Sequence, residues 1–281
     1  MGLPFQELTS KSYDPVGICV YCGSTENLTN EHIIPRGLLS KGGDWYLPKA
    51  SCLKCCSITT KFEGSVQQAM LGPLRYKLGL KTRNRGLKKK KSDKFVTLFN
   101  YPDGRIEPRE ISGDDFPSVC IGFKWRPPEF LLGLQASNIF EGSDVIKFNE
   151  AEMKKYAKSD QAIAIGRVFP GDFARMLAKI AHTYAIAEFG MESFEPMLKE
   201  IILGRDDRLP FLVGGDETVP TPDTEPCLHN IYRQDCAISG VHYILVAIRL
   251  FAFIGMPRYL VVVGKKTDQR PPAGAQIIRP V

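Results

Sequence analysis

The sequence predicts an α+β protein in two parts, a small N-terminal module followed by a larger domain of mixed strands and helices. Three observations lead to this division of the 281 residues. Two Cys-x-x-Cys motifs lie in the first quarter of the chain, a run rich in lysine and arginine follows them, and segments with strand and helix periodicity lie beyond it. We therefore expect a module over residues 1–74, a basic linker over 75–94 and an α+β domain over 95–281.

The two cysteine motifs predict a metal site in the module. Cys19 and Cys22 form one Cys-x-x-Cys pair, and Cys52 and Cys55 form the other. The N-terminus lacks the apolar core and flanking positive charge of a secretory signal, so we expect a cytoplasmic protein, in which such pairs bind metal rather than form disulfides. Four thiolates complete a tetrahedral zinc site, and the sequence thus predicts one structural Zn²⁺.

The overall composition is that of an ordinary globular protein. Hydrophobic residues make up 43% of the chain and charged residues 24%. The most apolar stretch, residues 241–264, is interrupted by Arg249 and Pro257, so that no run reaches the roughly 20 residues of a membrane-spanning helix. We expect no membrane partner.

The module is predicted to contain two strands and a helix. One strand runs through the sequence NEHIIP, and a second short strand precedes ASCLKC. A helix is expected from about Cys56 to the breaker Gly72-Pro73. Its apolar face is formed by residues at helical spacing, namely Ile58, Phe62, Val66 and Ala69.

The larger domain is predicted to contain a hairpin, a long helix and late strands. The hairpin turns at Pro102-Asp103-Gly104. The helix extends between Asp172 as N-cap and Gly190 as C-terminal glycine, with an apolar stripe of Phe173, Met176, Leu177, Ile180 and Tyr184. Two strands are expected within residues 240–264 and a loop over 218–226.

The remaining histidines and cysteines show no ligand pattern. We expect His182 to pack on the helix that carries it, and nothing in the sequence around His229 or His242 indicates a site. The other cysteines are interpreted as core thiols, namely Cys120, Cys227 and Cys236.

A Glu31-His32 pair lies between the two cysteine motifs. The complete pattern is Cys-x2-Cys, then Glu-His-Ile-Ile-Pro, then Cys-x2-Cys at the head of a helix. It resembles the zinc-braced form of the HNH nuclease family, which has a ββα-metal fold, and the resemblance covers about the first quarter of the chain. The resemblance implies a metal-dependent endonuclease that hydrolyses DNA phosphodiester bonds, with His32 as general base and Glu31 as a ligand of the catalytic cation.

Phosphodiester hydrolysis suits these residue types. A neutral histidine accepts a proton from water, and a divalent cation stabilises the charge that develops on the leaving oxygen. Mg²⁺, Mn²⁺ or Zn²⁺ is therefore expected as a catalytic cation. Adjacent strand residues point to opposite faces, so Glu31 and His32 serve one site only if the backbone distorts there or the cation lies near the strand edge.

Cys56 follows the last cysteine of the second motif, where the resemblance implies a further metal ligand that is usually Asn or His. Three interpretations remain open. Cys56 is a soft thiolate ligand, which favours zinc over magnesium. Alternatively, the site is degenerate, folded but slow or inactive. In the third interpretation Cys56 is a small apolar residue and another side chain is the ligand, such as Glu63 two turns along the helix.

Basic residues are concentrated between the module and the larger domain. Residues 75–94 contain ten Lys or Arg against one acid, Asp93, a net charge of +9 in a chain whose total is +6. Release of counterions from a phosphate backbone favours such a segment as a nucleic-acid contact. The residues expected to contact nucleic acid are Arg36, Lys61, Arg75, Lys88, Lys89, Lys90 and Lys91.

The expected partner is DNA, with RNA, strand preference and oligomeric state left open. Two functions other than a nuclease fit the same sequence. One is a zinc-dependent nucleic-acid-binding protein without catalysis. The other is a zinc-stabilised interaction module whose lysine run contacts an acidic protein.

Overall fold

The computed structural model describes residues 6, 10–40, 43–80, 94–100, 103–116, 119–138, 140, 142–147, 162–164, 168–216 and 227–268. Within these ranges the protein is a mixed structure of helices and strands, as the sequence predicts. None of the described helices is long and apolar enough to cross a membrane. The lysine run Lys88–Lys91 and the predicted loop over 218–226 lie outside the described residues.

A β-hairpin and a helix that directly follows it form the N-terminal part. Strand β1 (Leu28–His32) pairs antiparallel with β2 (Tyr46–Cys52), and helix α1 (Leu53–Gly64) begins at the next residue. The order strand, strand, helix agrees with the prediction. Helix α1 begins three residues earlier than expected, so the second cysteine motif spans the junction of strand and helix.

The end of this helical region differs from the prediction. Helix α1 continues as a wide π-helical turn (Ser65–Met70), and Gly72-Pro73 begins a second helix, α2 (Gly72–Lys77), rather than ending the first. Proline is accepted here because the first turn of a helix has no intrahelical partner for its N–H group. Of the predicted apolar face, Phe62 and Val66 are buried.

The remaining strands form three further sheets. The first contains β3 (Lys94–Asn100), β4 (Ile106–Ser112) and β7 (Ala162–Ala164). The β3–β4 pairing confirms the predicted hairpin, although Pro102 of its predicted turn lies outside the described residues. The second pairs β5 (Val119–Phe123) with β6 (Ser143–Lys147). The largest sheet contains β8 (Phe194–Pro196), β9 (Val213–Gly215), β10 (His229–Ile238), β11 (Val241–Leu250) and β12 (Tyr259–Lys266).

The long helix α3 (Pro170–Phe189) lies at the centre of the described structure. It packs against α1 and against strands β11 and β12, and the whole predicted apolar stripe is buried. The helix begins at Pro170, so Asp172 lies in its first turn and not at the N-cap. In the first turn its carboxylate still complements the helix dipole. Two shorter helices follow, α4 (Lys199–Ile202) and α5 (Leu209–Leu212).

One hydrophobic cluster joins the two predicted parts. It includes Cys19, Leu38 and Phe62 from the N-terminal part together with Leu177 and Val263 from the rest of the chain. Residues 176–186 of α3 are buried without interruption, because the helix packs between α1 and the largest sheet. The division into a module and a domain stays a prediction, but the two parts share their core.

Candidate functional site

The four cysteines of the two motifs come together in one cluster. The Sγ atoms of Cys19, Cys22, Cys52 and Cys55 all lie within 4.8 Å of one another. The Sγ atoms of Cys22 and Cys52 are 3.7 Å apart, close to the roughly 3.8 Å edge of a tetrahedron with Zn–S bonds of about 2.3 Å. The predicted cysteine cluster is confirmed, and its donor set and spacing are consistent with a structural zinc ion.

A tight turn of the main chain positions Cys19 and Cys22. The Gly23 N–H donates to the Cys19 carbonyl at 2.8 Å and the Cys19 N–H donates to the Ser24 carbonyl at 2.7 Å, which closes a tight turn. Gly23 has a positive φ of 76°, a conformation that favours glycine. The Ser24 backbone N–H lowers the pKa of the Cys22 thiol to about 7, whereas burial raises the pKa of the Cys19 and Cys55 thiols. Of these three, Cys22 is therefore the thiol that most readily forms the thiolate that metals bind.

Glu31 and His32 point to opposite faces of β1. Glu31 is 4% exposed, whereas the side chain of His32 is 30% exposed. An irregularity in the β1–β2 register lies between Thr29 and Glu31, but it leaves the alternation of these two neighbouring side chains intact. The two residues therefore belong to separate environments, one buried and one partly exposed.

Glu31 forms part of a buried ionic cluster with Glu63 and Lys179. The ammonium Nζ of Lys179 lies 2.8 Å from Oε1 of Glu31 and 2.9 Å from Oε1 of Glu63, and it also donates to the main-chain carbonyl of His32. Burial opposes the charge on Lys179, but the two carboxylates outweigh burial and raise the pKa of Lys179 above its ordinary value. The lysine is therefore charged, and it neutralises one of the two acids.

On the face of β1 opposite Glu31, His32 lies beside Asp44. Nδ1 of His32 lies 3.5 Å from Oδ1 of Asp44, and the ring of Tyr46 stands edge-on to the imidazole with 5.8 Å between ring centroids. Burial and the charge of Lys179 lower the pKa of His32 against the opposing effect of Asp44, and Arg36 adds to the lowering. The imidazole is accordingly neutral at pH 7 and able to accept a proton.

Cys56 lies in the first turn of α1 with its Sγ 4.0 Å from Oγ1 of Thr60. Within the described ranges, the four-cysteine cluster is the one group of three or more Cys, His, Asp or Glu residues with ligand atoms close enough to share a metal. Glu31, Cys56 and Glu63 thus form no ligand set for a second ion. The arrangement does not fit a catalytic cation at Glu31 and Cys56, because the Lys179 ammonium already contacts Glu31.

The residues predicted to contact nucleic acid are found in different environments. Arg36 is exposed in a short 3₁₀ turn (Arg36–Leu38) that closely follows β1, and Lys61 is exposed on α1. The guanidinium of Arg75 instead donates to the carbonyls of Gly37 at 2.6 Å and Gln67 at 2.7 Å, which gives it a structural role in this conformation.

Two histidines from the larger part hydrogen-bond to the main chain of the N-terminal part. Nε2 of His182 lies 3.0 Å from the carbonyl oxygen of Val20, and Nε2 of His229 lies 2.8 Å from that of Leu38. His182 therefore bonds beyond its own helix, contrary to expectation. Both rings are buried, and burial is the main cause that lowers the pKa of each to about 4.

Three residues of this region were missed from the sequence, namely Asp44, Lys179 and His229. Asp44 follows a glycine pair in a loop, and its relation to His32 arises only when β1 and β2 pair. Lys179 interrupts the apolar pattern of α3 on a face that the helix buries, and a lone lysine in such a position is the signal that identifies a buried ionic partner.

Comparison with known proteins adds no further assignment, because no family model, no curated protein and no solved structure matches this chain.

Proposed function

We propose that this protein hydrolyses phosphodiester bonds in DNA, with His32 as the general base. The observation that carries the proposal is the geometry of His32, which is partly exposed, neutral and 3.5 Å from Asp44 on the face of β1 opposite Glu31. Nδ1 of His32 and Oδ1 of Asp44 are 3.5 Å apart, and neither atom has a hydrogen-bond partner among the described residues. In this proposal the contact shortens when substrate binds, so that the proton stays on Nδ1 and the lone pair of Nε2 accepts a proton from water.

Arg36 supports the same proposal from the substrate side. Its exposed guanidinium follows His32 by four positions and is close enough to influence the imidazole electrostatically. Guanidinium groups bind phosphate oxygens through paired hydrogen bonds. In this proposal Arg36 holds the phosphate, Asp44 orients His32, and the structural zinc ion supplies no chemistry beyond fixing the hairpin and α1 relative to each other.

A cleavage assay with matched histidine variants tests the proposal. Purified protein is incubated with supercoiled plasmid, single-stranded DNA and RNA, each with Mg²⁺, with Mn²⁺ and with a chelator too weak to remove the bound zinc. His32→Ala should abolish cleavage, whereas His242→Ala, which changes a histidine on β11 outside the site, should retain it. Equal inactivity of all three proteins on all substrates would reject the nuclease.

A second candidate is a zinc-stabilised nucleic-acid-binding protein without catalysis. The contact of Lys179 with Glu31 favours it, because the acid that the HNH resemblance assigns to the catalytic cation is already neutralised. This candidate predicts salt-dependent DNA binding that His32→Ala leaves unchanged, together with no cleavage under any of the metal conditions.

A further inference from the structure

We propose that the ammonium group of Lys179 takes the place of a divalent cation between Glu31 and Glu63, and that Lys179 is a positioning residue for His32. The first half of the inference concerns the ionic cluster alone. The second half rests on the proposed function, because it assigns His32 the role of base.

The number of acceptors around Lys179 matches the number of protons on its Nζ. A lysine ammonium has three N–H donors and no acceptor. Three oxygens surround it, those of the Glu31 carboxylate, the Glu63 carboxylate and the His32 main-chain carbonyl. The side chain of Lys179 is 1% exposed, so these three oxygens and not water surround the ammonium.

The charges of the cluster explain why a second cation is not expected beside Lys179. Two carboxylates and one ammonium leave a single negative charge in excess, but the ammonium is in contact with both carboxylates. A divalent ion bound to Glu31 or Glu63 would lie within a few ångströms of the ammonium, and like charges at such separations repel strongly in a buried site. Lys179 and a divalent cation therefore compete for the same oxygens.

The third contact of Lys179 connects the ionic cluster to the residue whose side chain lies on the opposite face of β1. The carbonyl that accepts this hydrogen bond belongs to His32, whose side chain points the other way, towards Asp44. Holding this carbonyl fixes the backbone of β1 at the residue that carries the imidazole. Because the side chain of Lys179 is 1% exposed, its effect on hydrolysis is exerted through the position of His32.

Replacing the lysine tests the competition directly. Lys179→Ala removes the ammonium and leaves space between two acids, which together form a ligand pair for a hard cation. We expect zinc-loaded Lys179→Ala to bind one more Mn²⁺ per chain than the wild type at about 1 mM free Mn²⁺, as measured by electron paramagnetic resonance. The extra ion should be lost in Lys179→Ala/Glu63→Gln. The matched control Lys61→Met removes an exposed charge from the helix that carries Glu63 and should bind no extra ion.

If Lys179→Ala does not fold, Mn²⁺ binding to the wild type and to Glu31→Gln tests the same inference. Mn²⁺ binding to the wild type should be unaffected by Glu31→Gln, because Lys179 and not manganese neutralises Glu31. A wild-type Mn²⁺ site that disappears in Glu31→Gln overturns the inference, and so does a folded Lys179→Ala that gains no ion. Neither measurement uses DNA cleavage, so failure here is distinct from failure of the proposed nuclease.

The positioning role has its own readout. If the wild type cleaves DNA, Lys179→Ala should lower kcat with little change in KM, because the substrate does not contact Lys179. Added Mn²⁺ should restore kcat in Lys179→Ala but not in Lys179→Ala/Glu63→Gln. A change confined to KM, or no rescue by a manganese ion that does bind, would reject the positioning role.

Discussion

Lys179 donates a hydrogen bond to the main-chain carbonyl of His32, 147 positions earlier in the chain. The central helix α3 thereby holds the strand that carries the candidate base. Two histidines, His182 on α3 and His229 on β10, make comparable bonds to the carbonyls of Val20 and Leu38. These contacts, together with the shared hydrophobic cluster, lead us to expect the described structure to unfold as one cooperative unit.

Removal of the metal should unfold the protein, because the N-terminal part shares one hydrophobic cluster with the rest of the described structure. The freshly purified protein is expected to contain about one zinc per chain, held by four thiolates. Because a metal site is absent from the unfolded chain, its binding energy contributes directly to folding. Cys55→Ser and treatment with a strong chelator should both abolish cooperative thermal unfolding, whereas Cys236→Ser, at a buried cysteine outside the cluster, should retain it. Protein that lacks zinc yet melts like the wild type would contradict this.

Neutralising Lys179 should destabilise the protein by about 3–5 kcal/mol, since removing one member of a buried ionic cluster leaves uncompensated charge. The free energy of unfolding of Lys179→Met is measured in urea at pH 7.5 and compared with that of the wild type. Lys124→Met, which breaks an exposed ion pair with Asp144, should leave the free energy of unfolding nearly unchanged.

Stability should fall as the pH decreases from about 6.5 towards 4. His182 and His229 titrate near 6.5 in the unfolded chain, whereas burial lowers the pKa of each to about 4 in the folded protein. The unfolded state therefore binds more protons in this window, and each histidine costs about 1.4 kcal/mol of stability per pH unit. His182→Gln keeps a donor for the Val20 carbonyl but does not titrate.

The pH series of urea midpoints for His182→Gln should accordingly show a shallower slope than that of the wild type. His242→Gln is the control, because it changes a histidine of β11 outside these contacts. Identical slopes for all three proteins would mean that neither buried ring controls the acid transition.

Replacing Asp44 should shift the acid limb of the pH–rate profile for cleavage, because Asp44 influences the pKa of His32. The carboxylate of Asp44 raises the pKa of His32 against the larger lowering effect of burial. Asp44→Asn removes that opposing charge, so the pKa of His32 should decrease further and the acid limb should move to lower pH. The maximal rate should fall as well, since the imidazole loses the partner that orients it. An acid limb that moves to higher pH would contradict the assignment of His32 as the base.

Neutralising Lys88–Lys91 should weaken DNA binding without changing any base preference, because phosphate contacts position a protein but do not read sequence. Each lysine that contacts a phosphate contributes about −0.9 to the slope of log affinity against log salt on duplex DNA. The slope of a variant with four glutamines should therefore become less steep by up to about 3.6. An unchanged slope would show that the run does not contact DNA.

Much of the fold was predictable because its signals are local. The cysteine motifs, the β3–β4 hairpin and the apolar stripe of α3 each depend on residues that are near one another in sequence. Strand β10 was missed, although Ser239 and Gly240 form a two-residue turn to β11 with positive φ at both positions. Such turns are typical of hairpins, but Ser-Gly is a weaker signal than Asn-Gly.

The candidate site was less predictable because its contacts join distant segments. The sequence identified Glu31 and His32 as candidate site residues. It did not predict the ion pair between Lys179 and Glu31 or the contact between Asp44 and His32. A pattern of spacing describes neighbours along a strand or helix, whereas these pairs form only when β2 and α3 pack. Cys56 illustrates the limit, since its position in the motif indicated a ligand and its side chain lies beside Thr60.

The order in which the chain is synthesised gives the three main-chain contacts a further consequence. A ribosome releases the cysteine motifs and the β1–β2 hairpin long before residues 179, 182 and 229. The carbonyls of Val20, His32 and Leu38 must then remain hydrated, and the apolar side of α1 must remain uncovered, until α3 and β10 have been made. Zinc binding during this interval would hold the nascent hairpin together, so that the metal acts first as a temporary substitute for the unfinished half of the core.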